Sequence, residues 1–197
     1  ASPHVAPSNF SRGPAWTWSN DADELFRHAP VIDDELSIYA VTSSGILRKF
    51  SHDGKPLWYW QTSYREGQVV VSPFLYEGQL FLQSVGNLPD SARENHIYSI
   101  DMLAGTVNWK VVHPFNRSVN RDSHTIHVSD GILVGAMMGE RSEGNHVIYG
   151  LNASDGASLW DYTLDGGQVW NFMPSLPGDG TFLFATSCGV AHRNDLR

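Results

Sequence analysis

The 197 residues are 41% hydrophobic and 17% charged, a balance that buries a core and excludes a disordered chain. The formal net charge is −8 and the 13 Lys and Arg are scattered, so no basic track exists for a nucleic-acid backbone. Cys188 is the single cysteine, which excludes an internal disulfide and any multi-cysteine metal centre, and no apolar run reaches a bilayer span.

In chain order, residues 1–13 read as an N-terminal extension, and a start at Ala1 without methionine suits a processed terminus and an extracytoplasmic destination (periplasm, organelle lumen or secreted). Pro14-Ala15-Trp16-Thr17-Trp18 reads as a strand, because Pro56-Leu57-Trp58-Tyr59-Trp60 repeats its pattern. Residues 21–28 carry the one pattern that suits a turn of helix. From residue 30 onward the chain is a succession of short apolar runs broken by turn residues. Within 69–113 the runs are 69–75, 79–85, 97–102 and 106–112, with Tyr76-Glu77-Gly78 and Leu103-Ala104-Gly105 as turns. Gln79-Leu80-Phe81-Leu82 and Ile132-Leu133-Val134 are apolar on both faces, as strands between two packed layers must be. Four-strand units are predicted over 30–62, 69–113, 123–165 and 172–197.

Their repetition is visible in spacing. Gly54 and Trp58, Gly105 and Trp109, and Gly156 and Trp160 are one Gly-x-x-x-Trp motif at two successive intervals of 51 residues. Val41-Thr42-Ser43-Ser44-Gly45 recurs as Ala185-Thr186-Ser187-Cys188-Gly189, and Gly67-Gln68-Val69 as Gly167-Gln168-Val169. Four strands in about 50 residues is the blade signature of a β-propeller. The predicted fold is therefore all-β, a propeller of four-stranded antiparallel blades with about four blades over 14–197. Residues 14–19 are then a closing outer strand. They complete either a four-bladed ring, by pairing with the last blade, or a larger ring of which this is half; the larger ring is preferred because four blades make a tight circle.

The repeat resembles that of the quinoprotein-like propellers, Ala-x-Asp-x-x-Thr-Gly-x-x-x-Trp, from about Trp16 to Arg197. Gly105 and Trp109 carry the resemblance, with Asp101 at the aspartate position and Ser99 at the alanine. Asn152 and Phe50 stand at the aspartate position of the third and first repeats. The family includes dehydrogenases holding pyrroloquinoline quinone (PQQ) and calcium, and also non-catalytic scaffolds. Its alcohol-oxidising members carry adjacent cysteines, a feature that the lone Cys188 does not match. The resemblance implies a binding or scaffolding subunit of a larger extracytoplasmic or lumenal assembly, with other protein subunits as partners and no cofactor. The alternative is part of a quinone-dependent dehydrogenase with PQQ and calcium. A third reading is a carbohydrate or small-ligand binder.

Gly54, Trp58, Gly105, Trp109, Gly156, Trp160 and Trp16 are expected to dock neighbouring blades, a role that suits so large a side chain on an outer strand. No catalytic residue and no metal site is assigned: His124 and His127, three apart on a strand, point to opposite faces. Asn95-His96 and Asn145-His146 recur in equivalent loops through a shared turn preference. In an antiparallel meander the long loops all emerge on one side and the tight turns on the other. Long loops on a rigid scaffold are where binding resides, so Arg121, His124, Gln168 and Trp170 are the candidate partner or ligand contacts.

Overall fold

Runs rich in Val, Ile, Leu and aromatic residues, bounded by Gly and Asp, fold as short antiparallel strands. The computed structural model describes residues 14–19, 25–26, 28–42, 44–63, 68–69, 72–85, 95–112, 126–137, 146–164, 172–186 and 191–196, and among them there is no helix. Blade 1 is β1 (Val31–Ile32), β2 (Ile38–Val41), β3 (Ile46–Phe50) and β4 (Pro56–Gln61), hydrogen-bonded in sequence order. Blade 2 has β5 (Gln68–Val69) and β6 (Phe74–Tyr76), both pairing with β7 (Gln79–Val85), followed by β8 (His96–Asp101) and β9 (Val107–Val112). Blade 3 is β10 (His127–Ser129), β11 (Ile132–Met137), β12 (His146–Asn152) and β13 (Ser158–Leu164). Blade 4 contributes β14 (Thr181–Ala185) and β15 (Ala191–Asp195), with a bridge from Ser175 to Leu183.

Three expectations are corrected. The predicted first strand of blade 2 is two pieces, and β6 begins just after Pro73, which has no N–H for a ladder. In the segment expected to turn as a helix, Phe26 instead forms an antiparallel bridge with Thr42. The aspartate position of the first repeat belongs to Ser51, not Phe50. Gly54 N donates to Ser51 O, whereas Gly105 N donates to Asp101 O and Gly156 N to Asn152 O, so the blade 1 turn is one residue shorter. A bulge recurs on the fourth strand of each complete blade, at Leu57, Asn108 and Leu159 opposite Lys49/Phe50, Ser99/Ile100 and Gly150/Leu151, just before the tryptophan.

Pairing places Tyr39, Lys49 and Trp58 in one row across blade 1, matched by Phe81, Ser99 and Trp109, by Val134, Gly150 and Trp160, and by Leu183 and Arg193. Tyr39, Phe81 and Val134 are fully buried against the following blade, while Leu183 is 39% exposed. One apolar core runs through the first two seams, including Leu47, Leu80, Tyr98, Leu133 and Leu151, and a second joins Val134 and Ile148 to Phe182 and Phe184. Among the described residues, 14–19 pair with no strand and β15 pairs only with β14.

Candidate functional site

The predicted docking glycines and tryptophans meet at the first two seams. Trp58 packs on Gly105 and Trp109 on Gly156, and a β-carbon on either glycine would fall within 3 Å of the indole. Both glycines have positive φ, +71° and +75°, so the same residue meets a conformational and a steric demand. Trp16 packs on Gly54, φ +83°, as the outer strand of a preceding blade would. Each indole N–H donates to the matching carbonyl of the next blade: Trp16 to His52 (3.0 Å), Trp58 to Met102 (3.3 Å), Trp109 to Ala153 (2.9 Å) and Trp160 to Leu196 (2.8 Å).

All this lies on the tight-turn side. Met102 N donates to Gly78 O, Ala153 N to Gly131 O and Leu196 N to Gly180 O, so the two tight turns of a blade are bonded to each other. On the same side, in the first seam, the Lys49 ammonium donates to Met102 O (3.0 Å) and lies 4.0 Å from the Asp33 carboxylate. The Tyr39 hydroxyl donates to Asp33 at 2.9 Å; burial first, and then this bond, push its pKa up. Asp101 caps Leu103 N and Ala104 N, and Ser154 N donates to Asn152. The Asp53 carboxyl is held low by the Ser51 hydroxyl, and Asp179 by the Thr181 hydroxyl and then Arg193. These groups anchor turns and seams.

The opposite side is chemically different. At the long-loop end of blade 2, Gln83, Ser84, Asn95 and His96 are all buried, and Tyr98 packs against both His96 and Trp60 of blade 1. The strand pairs Gln83 with Ile97 and Ser84 with His96. The sequence assigned Asn95 and His96 only a turn preference and Gln83 and Ser84 no role, although the polar character of Gln83 and Ser84 in an apolar strand was visible. The Asn-His recurrence is not a structural equivalence. His96 pairs with Val112 and Val147 with Thr163, which puts His96 in register with Val147 rather than His146.

His127 lies on β10, packed at a tilt against Phe74 of β6 with ring centroids 4.9 Å apart, and burial holds its pKa below the usual histidine value. The folded state therefore binds fewer protons here than the unfolded state, so this residue's contribution to stability falls as pH drops through about 6.5 toward the depressed folded value. His127→Gln is expected to flatten the acid limb of the stability–pH profile, read by urea unfolding at pH 5 to 8; an unchanged slope would show that the ring titrates normally. Among the described residues, no three His, Cys, Asp or Glu side chains converge as a metal site. Arg121, His124, Gln168 and Trp170, with Cys188 and Asn145, lie outside the described residues. No described helix is long and apolar enough to cross a membrane.

The family model for the outer membrane protein assembly factor BamB matches residues 59–173. No curated protein matches. Among solved structures the chain is similar to BamB from Moraxella catarrhalis, with a TM-score of 0.64 and 16% identity, over 87% of this chain and 45% of that one. The computationally designed Ika4 protein superposes with a TM-score of 0.59 and 10% identity, over 87% and 93% of the two chains. The quinohemoprotein alcohol dehydrogenase from Comamonas testosteroni gives 0.62 and 14%, over 81% and 28%. The chain thus spans less than half the length of these two natural proteins, and at such identities the structural likeness speaks for the fold alone. The family match covers more than half of the sequence and runs through the blades whose glycine and tryptophan pairs build the seams, so this chain belongs to the BamB family of β-propellers.

Proposed function

We propose that the chain is a non-catalytic propeller that binds partner proteins as a subunit of a larger extracytoplasmic assembly, and that its long-loop side is the binding side. One observation carries this reading: the tight turns of every seam are taken up by docking tryptophans, backbone bonds and the Lys49–Asp33 pair, which leaves the long-loop side for recognition. The family match supports a protein partner rather than a small substrate. In the same reading residues 14–19 are the outer strand that closes a ring larger than four blades, since Trp16 is docked on blade 1 while its strand has no sheet among the described residues.

A photo-crosslinking amino acid placed at Arg121 or Gln168 is expected to capture partner subunits in the native assembly. The same group at Leu103 or Asp155, exposed on the tight turns, is expected to capture none. Crosslinks from the turn positions alone would overturn the assignment. The dehydrogenase reading rests on likeness of fold alone, and the described residues do not assemble an acidic donor set for its calcium ion. Substrate-dependent dye reduction after adding PQQ and calcium would end the scaffold reading.

A further inference from the structure

We propose that blade 4 is completed by residues 14–19 of a second copy of this chain, so that two copies join head to tail in one ring; this rests on the reading above that 14–19 form the outer strand of a ring larger than four blades. The row that crosses each blade carries the argument. Tyr39, Lys49 and Trp58 fill it in blade 1, Phe81, Ser99 and Trp109 in blade 2, and Val134, Gly150 and Trp160 in blade 3, whereas β14 and β15 supply only Leu183 and Arg193. Trp16 is the counterpart of the indole that this row lacks among the described residues. It docks on Gly54 and donates to His52 O as Trp58 docks on Gly105 and donates to Met102 O, yet its strand joins no described sheet.

Both faces that such a seam would bury stand open. On blade 4, the face that Tyr39 and Val41 bury in blade 1 carries Leu183 and Ala185, both exposed. The Arg193 side chain is 60% exposed, against 7% for Lys49 in the same row. On blade 1, the face that Leu80 and Leu82 bury completely in blade 2 carries Ile38 and Ala40, both half-buried, with Ile32 exposed beside Ile38. Open apolar positions on two different faces of one chain, each shaped for the other, are the elements of a head-to-tail contact between copies.

The polar chemistry matches as well. In the first seam Met102 O accepts from both the Trp58 indole and the Lys49 ammonium, and Asp33, from the turn between the first two strands, lies beside that ammonium. Blade 4 repeats the arrangement, with Arg193 at the Lys49 position and paired at 2.6 Å with Asp179 of the corresponding turn. Its guanidinium has N–H donors beyond those given to Asp179 and Thr181. His52 O of the second copy, already bonded to that copy's Trp16, is the carbonyl in the Met102 position. A different protein seated on blade 4 would leave 14–19 without a sheet, whereas a second copy satisfies both, setting Arg193 opposite Trp16 and His192 opposite Thr17. The four blades superpose on 45% of the BamB chain, so two copies supply about the length of one such propeller.

Light scattering on the purified chain is expected to give a particle of two chains. Trp16→Ala and Arg193→Glu are each expected to weaken the association by about tenfold or more, the factor for one lost hydrogen bond, with Leu103→Ala as a reference that leaves it unchanged. Orientation is read by oxidation in a Cys188→Ser background: Thr17→Cys protein mixed with His192→Cys protein is expected to give a disulfide-linked pair of chains. A monomer throughout the concentration range, a disulfide within one chain when both cysteines are placed together, or a pair unaffected by Trp16→Ala and Arg193→Glu would each overturn the proposal. A monomer that Trp16→Ala still destabilises refutes the second copy and leaves 14–19 as an outer strand. A monomer whose long loops still crosslink partner subunits likewise refutes the second copy and leaves the assembly reading.

Discussion

Gly105→Ala is expected to destabilise the protein by about 3 to 5 kcal/mol, whereas Gly78→Ala, at nearly the same backbone angle, costs only about 1 to 2 kcal/mol. The two glycines have φ of +71° and +74°, so the conformational penalty for a β-carbon is shared. They differ in what that carbon meets: at Gly78 there is nothing within 4 Å, while at Gly105 it falls 2.7 Å from Cδ2 of Trp58. Trp58 cannot retreat without losing its bond to Met102 O and its contact with Tyr39. Urea denaturation of both variants separates the terms, and the double variant Trp58→Ala with Gly105→Ala closes a cycle. In the alanine-58 background Gly105→Ala is expected to cost no more than Gly78→Ala. Equal costs for the two glycines in the parent protein would show that the indole does not dock there.

Trp109→Ala is expected to cost about 3 kcal/mol, the lower end of the range for emptying a large aromatic site, because the indole is half-buried rather than enclosed. Its ring packs against Phe81 and Gly156, and its N–H donates to Ala153 O, so truncation removes apolar contact and leaves a carbonyl short of a donor. Trp109→Phe keeps most of the contact and is expected to cost about 1 kcal/mol, the net worth of the lost hydrogen bond. Leu103→Ala serves as the reference for an exposed site, since Leu103 is 84% exposed, and is expected to be nearly neutral. A loss below about 1 kcal/mol for Trp109→Ala would break the equivalence of the seams.

How far the site was legible follows from the kind of signal each part carries. The seams repeat, and repetition is readable: Gly54, Gly105 and Gly156 recur because each seam poses the same steric problem and glycine at positive φ solves it. Parity was equally readable, since an antiparallel meander leaves no choice about which connections share a side, and the paired turns at Met102 and Gly78 and at Ala153 and Gly131 bear it out. The Asp33, Tyr39 and Lys49 cluster was not readable, because it joins the first turn of blade 1 to a carbonyl of blade 2 and has no counterpart in the other blades. A contact that occurs once leaves no period to detect.

The amino-acid sequence by itself determined the all-β class, the four-strand unit and the glycine and tryptophan pairs that meet at the first two seams. These are local or periodic properties, set by turn chemistry, strand alternation and a repeated contact at each seam. Only the tertiary structure decided that the first turn is a residue shorter, that Ser51 rather than Phe50 matches Asp101, and that His96 and His146 are out of register. It also decided that Gln83 and Ser84 are buried without partners while their equivalents are mostly apolar. Burial and satisfaction depend on which blade packs against which, and that is a property of the assembled seams rather than of any one strand.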